Sequence, residues 1–233
     1  MRINKYLSEC GYCSRREADR LIEEGRITID GRAAEMGAQV SEESIVCVDG
    51  KKVERAKFTY LAFNKPKGYV CTFQEKEEHN LTEILDLPVY VAYAGRLDKD
   101  SEGLLLLTND GTLSNLLMTA GDVHEKEYVV RVKGELTEDK MESFQKGLYL
   151  EEIDRNTRPC RAWITGRDEF HIVLTEGINR QIRRMCKAVH LHVESLKRIR
   201  IANILLGDLK TGKYRELTEE ELSKLKRTVN GHA

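Results

Sequence analysis

The sequence predicts an α+β protein in two unequal parts, a small helix-and-hairpin module followed by a larger domain. Short strand-like segments mix with a few helices and form no regular βαβ repeat. A polar, charged stretch over residues 49–58 separates two regions of different pattern and reads as a mobile linker. The pairs Asp30-Gly31 and Asp49-Gly50 close short apolar runs, as hairpin turns do.

In residues 1–48, Ile3, Tyr6 and Leu7 recur at helical spacing and Gly11 ends the helix. Ser14 reads as an N-cap, and Glu17 three residues on completes a capping box. The second helix turns Ala18, Leu21 and Ile22 inward and stops at Gly25. Strand-like pieces follow at 27–29 and 45–48. The inward face of this module is thin, so it leans on a partner.

Residues 59–226 form the larger domain, and 227–233 read as a flexible tail after a charged helix that starts near Glu219. Strands are expected at 60–63, 69–73, 104–107, 127–132, 162–164 and 170–174. Helices are expected from Gly111 to about residue 120, over 138–145 and over 180–189. A part of about 170 residues buries roughly 70% of its unfolded surface, enough to fold alone.

Composition narrows the function. The chain has 233 residues, 33% of them charged, and a net charge of −1, so overall charge gives nucleic-acid binding no support. Residues 177–200 differ: seven basic side chains (Arg180, Arg183, Arg184, Lys187, Lys197, Arg198, Arg200) face one acid, Glu194. On charge alone that run is either a solvated face or an anion-binding surface. No apolar run reaches the ~18 residues of a membrane span, and the N-terminus lacks a signal pattern. Six scattered cysteines suit a reducing cytoplasm, and Cys10-x-x-Cys13 has no second pair at zinc spacing. His124, His190 and His192 have no partner at ligand spacing, so no metal is expected. Phosphate-cradling glycine loops are also missing, which argues against nucleotide cofactors.

One segment concentrates reactive groups: Gly95-Arg96-Leu97-Asp98-Lys99-Asp100-Ser101-Glu102-Gly103-Leu104, directly ahead of further leucines. A charged loop at the end of a buried strand is where a rigid scaffold presents reactive side chains. Spacing does not separate Asp98 from Asp100.

This segment resembles the G-R-L-D-x-x-S-x-G-L signature of RNA pseudouridine synthases of the RsuA and RluA type. Glu125-Lys126-Glu127-Tyr128 resembles the strand that carries the family's tyrosine, and residues 177–185 (GINRQIRRM) resemble the motif that supplies its arginine. Lys65-Pro66-x-Gly68 matches an early strand-turn of the family. Ser14-Arg15-Arg16-Glu17-Ala18 with Asp30-Gly31 resembles the small RNA-binding domain first seen in a ribosomal small-subunit protein, which RsuA-type enzymes carry in front.

The resemblance implies a catalytic domain on a mixed, largely antiparallel sheet. It also implies isomerisation of uridine to pseudouridine, without a cofactor, by a monomer acting on structured RNA. Large-subunit ribosomal RNA is the expected substrate, with transfer RNA or small-subunit RNA as alternatives; a non-catalytic assembly factor is the rival reading. Asp98 takes the role of catalytic carboxylate, shielded from water and paired with Arg183. Tyr128 faces the uracil; its other reading is a packed core residue. Arg96, Lys65, Leu174, Arg180 and Arg184 are expected to position substrate or phosphates. In the front module, Lys5, Ser14, Arg15, Arg16 and Arg20 are expected to form an RNA-binding stripe. The module is nonetheless not basic overall, with seven basic and nine acidic side chains in residues 1–48.

Overall fold

A computed structural model of the chain describes every residue except 55, 75, 120–123 and 231–233. The front module contains α1 (Ile3–Glu9), α2 (Arg15–Glu23) and four short strands, β1 (Ile27–Ile29), β2 (Arg32–Ala33), β3 (Val46–Val48) and β4 (Lys51–Lys52). The strands pair antiparallel in the order β2-β1-β3-β4. Ile3, Leu7, Leu21 and Ile22 on the helices pack with Ile27, Val46 and Val53. β4 and the buried Val53 therefore carry the module past residue 48.

Ser14 caps α2 by accepting the Glu17 N–H at 3.1 Å. The expected capping box does not close there, because the Glu17 carboxylate bonds Arg20 instead. A capping box does form later, between Asn80 and Glu83 at a 3-10 turn.

The larger domain follows as β5 (Tyr60–Lys65), β6 (Ala92–Ala94), β7 (Glu102–Thr108), α3 (Gly111–Thr119), β8 (Lys126–Lys133) and α4 (Glu138–Lys146). Then come β9 (Tyr149–Leu150), β10 (Arg155–Asn156), β11 (Arg161–Ile164), β12 (Glu169–Leu174) and α5 (Gln181–Ala188). The chain ends with β13 (His192–Ile201), β14 (Ile204–Leu205), β15 (Tyr214–Glu216) and α6 (Glu219–Asn230). The main sheet runs β11-β12-β8-β13-β7-β5-β15, with β6 added on β7 and β14 on β13. Among the described strands only β13 and β7 pair parallel. No helix among the described residues is long and apolar enough to cross a membrane.

The consecutive leucines of β7 follow from burial on both faces. Leu104 and Leu106 pack under α3 and α6, whereas Leu105 and Leu107 face the opposite side with Phe63, Leu81 and Leu97. A third cluster joins α4 and α5 to β8, β12 and β13.

Two expectations need correction, and one segment with no expected element proves to be a strand. Residues 69–73 form no strand; their backbone is spent on local turns, such as Val70 N–H to His79 O and Leu81 N–H to Thr72 O. Residues 192–201 form a ten-residue strand that the basic residues had disguised. The C-terminal helix continues to Asn230 with Val229 buried, so residues 227–230 are not a tail; 231–233 lie outside the described residues. The linker is also tied down: Asn109 accepts the Thr59 N–H at 2.7 Å and donates to Lys57 O and Glu9 O, both at 3.3 Å.

Gly103 has no room for a side chain. Its φ is +104°, and a Cβ there would lie 2.3 Å from the backbone oxygen of Arg198. Gly103→Ala is expected to cost at least about 3 kcal/mol of stability, measured by urea unfolding. A loss within ~0.5 kcal/mol, the range of an ordinary surface change, would show that β13 and β7 can part without strain.

Candidate active site

Residues 95–101 leave β6 and return into β7, and most of this loop's carbonyls are held from outside. Arg198 donates to three carbonyls at its base: Gly95 at 3.1 Å, Arg96 at 3.3 Å and Leu104 at 2.7 Å. Lys65 Nζ donates to Ser101 O at 2.8 Å and Pro66 O at 2.9 Å. The Gly68 N–H reaches Lys99 O at 2.7 Å, and Arg183 Nη2 reaches Asp100 O at 3.0 Å. Leu97 donates its N–H to Cys71 Sγ at 3.4 Å, and Ser101 donates its own to Asp98 O at 3.0 Å.

Two of these cations are out of water: Arg198 is 1% exposed and Lys65 0%. Burial pulls the Lys65 ammonium below the usual lysine range, the Arg198 charge adds to that, and Cys71, Asp98 and Glu102 oppose it.

Asp98 sits within this held loop with its side chain 29% exposed. Its described ion-pair partner is Arg180, whose Nη1 lies 3.9 Å from Asp98 and equally 3.9 Å from Asp100. The expected pair with Arg183 is therefore replaced. α5 begins only at Gln181, and Arg180 caps it from a left-handed conformation (φ +53°) outside the helix. Arg183, in the first turn, lies against the loop backbone instead, with its Nε buried and unbonded. The carboxylate is also less dry than expected.

Tyr128 is half-buried on β8, opposite Arg198 on β13. It packs against two core clusters, one containing Ile182 and Met185 and the other containing Leu97. The tyrosine thus stands at the seam between the α5 side and the loop side of one sheet face.

Several expected substrate contacts are already engaged within the chain. Lys65 is enclosed on carbonyls, and Leu174 is 4% exposed within the core. Arg184 and Lys187 both bond Glu152, and Arg184 also donates to Asn179 O at 3.0 Å. Arg200 pairs with Glu127 at 2.9 Å and Glu125 at 3.1 Å. Acids distant in sequence thus offset much of the positive excess at 177–200. Arg96 remains exposed, and so does nearly half of the Arg180 side chain. Buried Glu176 secures the turn before α5, bonding Gln181 Nε2 at 2.6 Å and the Arg158 N–H at 2.9 Å.

In the front module Lys5 pairs with Glu9 at 3.5 Å, and Arg20 with Glu17 and Glu24. The expected stripe therefore reduces to Arg15 and Arg16, exposed in the first turn of α2, while Ser14 serves as a cap. Cys13 is pushed up to about 12 by burial and by nearby Glu17 and Asp19, so it stays a thiol.

Sequence reading missed Arg198, Glu152, Glu176 and Cys71. Arg198 alone left a signal: it lies two residues after Leu196, an inward position of an alternating strand.

Residues 1–46 match the S4 domain, and residues 59–188, more than half of the chain, match the RNA pseudouridylate synthase family. These two matches define an RNA-directed enzyme with its RNA-binding module ahead of the catalytic sheet. The dual-specificity RNA pseudouridine synthase RluF of Escherichia coli K12 is 40% identical over 225 residues, covering 95% of this chain and 77% of the relative. Ribosomal large subunit pseudouridine synthase B of Bacillus subtilis is 36% identical over 234 residues, covering 97% and 95%. A crystal structure described as pseudouridylate synthase superposes with a TM-score of 0.71 at 28% identity, covering 97% of this chain and 99% of that one. The chain belongs to the RNA pseudouridine synthase family, in its RsuA-type branch with an S4 domain in front.

Glu152→Gln releases Arg184 and Lys187 from their shared acid. RNA affinity at low salt is expected to rise, and the slope of log affinity against log salt to steepen by about one. A filter-binding salt series reads both, and an unchanged slope would place these two cations away from the RNA.

Proposed function

We propose that this enzyme converts one or a few uridines to pseudouridine in a structured segment of large-subunit ribosomal RNA, with Asp98 as the catalytic carboxylate. It would do so as a cytoplasmic monomer. The observation that carries the reading is a carboxylate beside Arg180, on a loop fixed from outside at five carbonyls, directly after Leu97, which packs in the cluster that Tyr128 also touches.

The reaction breaks the bond from N1 to C1′, turns the uracil and joins C5 to C1′. The proton lost from C5 is balanced by one gained at N1. Atoms and electrons are conserved, so the proposal assigns no cofactor. Asp98 acts on the sugar or the base as nucleophile, or as the base that generates a glycal. Its partial exposure leaves a path for an everted nucleotide, extruded at a cost of a few kcal/mol. Tyr128 presents a ring for the uracil and a phenol that can take the C5 proton. Arg180, with nearly half of its side chain exposed, supplies a cationic donor for the sugar-phosphate around it.

The ribosomal target rests on the name of the Bacillus relative. The Escherichia relative is called dual-specificity, so a second RNA, with transfer RNA as the candidate, belongs in the same test. Pseudouridine mapping in ribosomal and transfer RNA from cells with and without the enzyme is expected to show loss of one site or a few. No lost site in either RNA would remove the substrate assignment.

Asp98→Asn is expected to lower product formation by at least about 10³-fold while RNA affinity stays within threefold. Retained activity would return the role to Asp100 or to another group. Reversing charge at Arg15→Glu and Arg16→Glu together is expected to weaken RNA binding and flatten its salt dependence. An unaltered salt slope would mean the front module contributes no phosphate contact there.

A further inference from the structure

We infer that Arg198 is a positioning residue for the reaction: its guanidinium fixes the main chain of the Asp98 loop and so sets where the carboxylate stands. The inference rests on the proposed role of Asp98 and deepens it.

Arg198 has the chemistry of a clamp rather than of an ion pair. Its three described bonds go to backbone carbonyls, and those carbonyls sit where the loop leaves β6 and where it re-enters the sheet. One planar fork therefore ties both ends of the loop together. A lysine cannot copy this, because a point cation does not span three acceptors set apart in fixed directions. The backbone reinforces the aim. Arg198 lies beside Gly103 in the parallel pair of β13 and β7, at the approach that leaves no room for a Cβ. An irregularity in β13 between Arg198 and Arg200 redirects the strand at the same place.

The rest of the loop is fastened at other points, by Lys65, Gly68, Arg183 and Cys71. Arg198 alone among these groups closes the base. Being buried, it cannot meet RNA directly, so its contribution is expected in the chemical step and not in binding.

The test measures single-turnover rate and RNA affinity for Arg198→Lys, alongside Asp98→Asn. A stability control, Val229→Ala, changes a buried residue of α6, an element with no described hydrogen bond to the loop. The expected result for Arg198→Lys is a rate loss of about 10²-fold with affinity within threefold, while the control keeps its rate. A rate within threefold of the parent would overturn the inference. So would parallel loss of rate and affinity, or an equal rate loss in the control. If Arg198→Lys does not fold, Arg198→Gln, uncharged and smaller, takes its place with the same readings. If Asp98→Asn keeps its activity, the proposed role of Asp98 fails whatever Arg198 does. If Asp98→Asn is dead and Arg198→Lys fully active, only the clamp is lost.

Discussion

The placement of the loop over the sheet depends on buried cations bonded to carbonyl oxygens. Arg198 and Lys65 have given up water for backbone dipoles, with no carboxylate directly against them among the described contacts. A hydrogen bond to a charged group contributes roughly 1.5–3 kcal/mol, so the three on Arg198 sum to a figure comparable with the several kcal/mol lost by burying an ion. The two terms nearly cancel, and little net stability is gained. What the arrangement does supply is a single main-chain path, since no looser loop satisfies all those donors at once.

That constraint ties local sequence to global fold. Gly103 has to be glycine because β13 passes against it, and β13 has to pass there to deliver Arg198. The leucines that follow Gly103 anchor β7 on both faces, so the strand cannot shift to relieve the crowding. The same double burial made β7 readable in advance, since a short run of leucines bounded by turn residues has few other uses. Tyr128 was singled out by resemblance alone, because the alternation of β8 allowed a packed core residue equally well. The loop at 69–73 was misread because apolar side chains such as Cys71 and Phe73 serve there to roof the sheet, and a side-chain pattern does not distinguish a roof from a strand.

Electrostatics was the least legible part. A count along the chain gave residues 177–200 a strong positive excess, yet the fold brings Glu125, Glu127 and Glu152 to Arg200, Arg184 and Lys187. These contacts join residues tens of positions apart, and no local window contains both partners. The choice between Arg180 and Arg183 turned on backbone geometry of the same hidden kind. One residue in left-handed conformation before α5 sends Arg180 toward the carboxylates and leaves Arg183 against the loop. Motif spacing carried the neighbourhood correctly and the individual contacts poorly.

Spacing had also left Asp98 and Asp100 equivalent, and the fold separates them by physical means. Asp98 follows Leu97, which is buried in the cluster that Tyr128 touches, and its own carbonyl closes the turn to buried Ser101. Asp100 lies on the outer side of that turn. Its carbonyl is gripped by Arg183, and its side chain is 57% exposed, against 29% for Asp98. The carboxylate role proposed above needs a fixed approach and limited competition from water. Asp98 meets both needs better, because Leu97 before it is anchored in the core and its own carbonyl is tied to Ser101. Asp100 has its backbone held by Arg183 and a side chain mostly in solvent, with Arg180 as its described ion-pair partner. Arg180, equidistant from both, cannot make the distinction; the packing of Leu97 beneath the loop does.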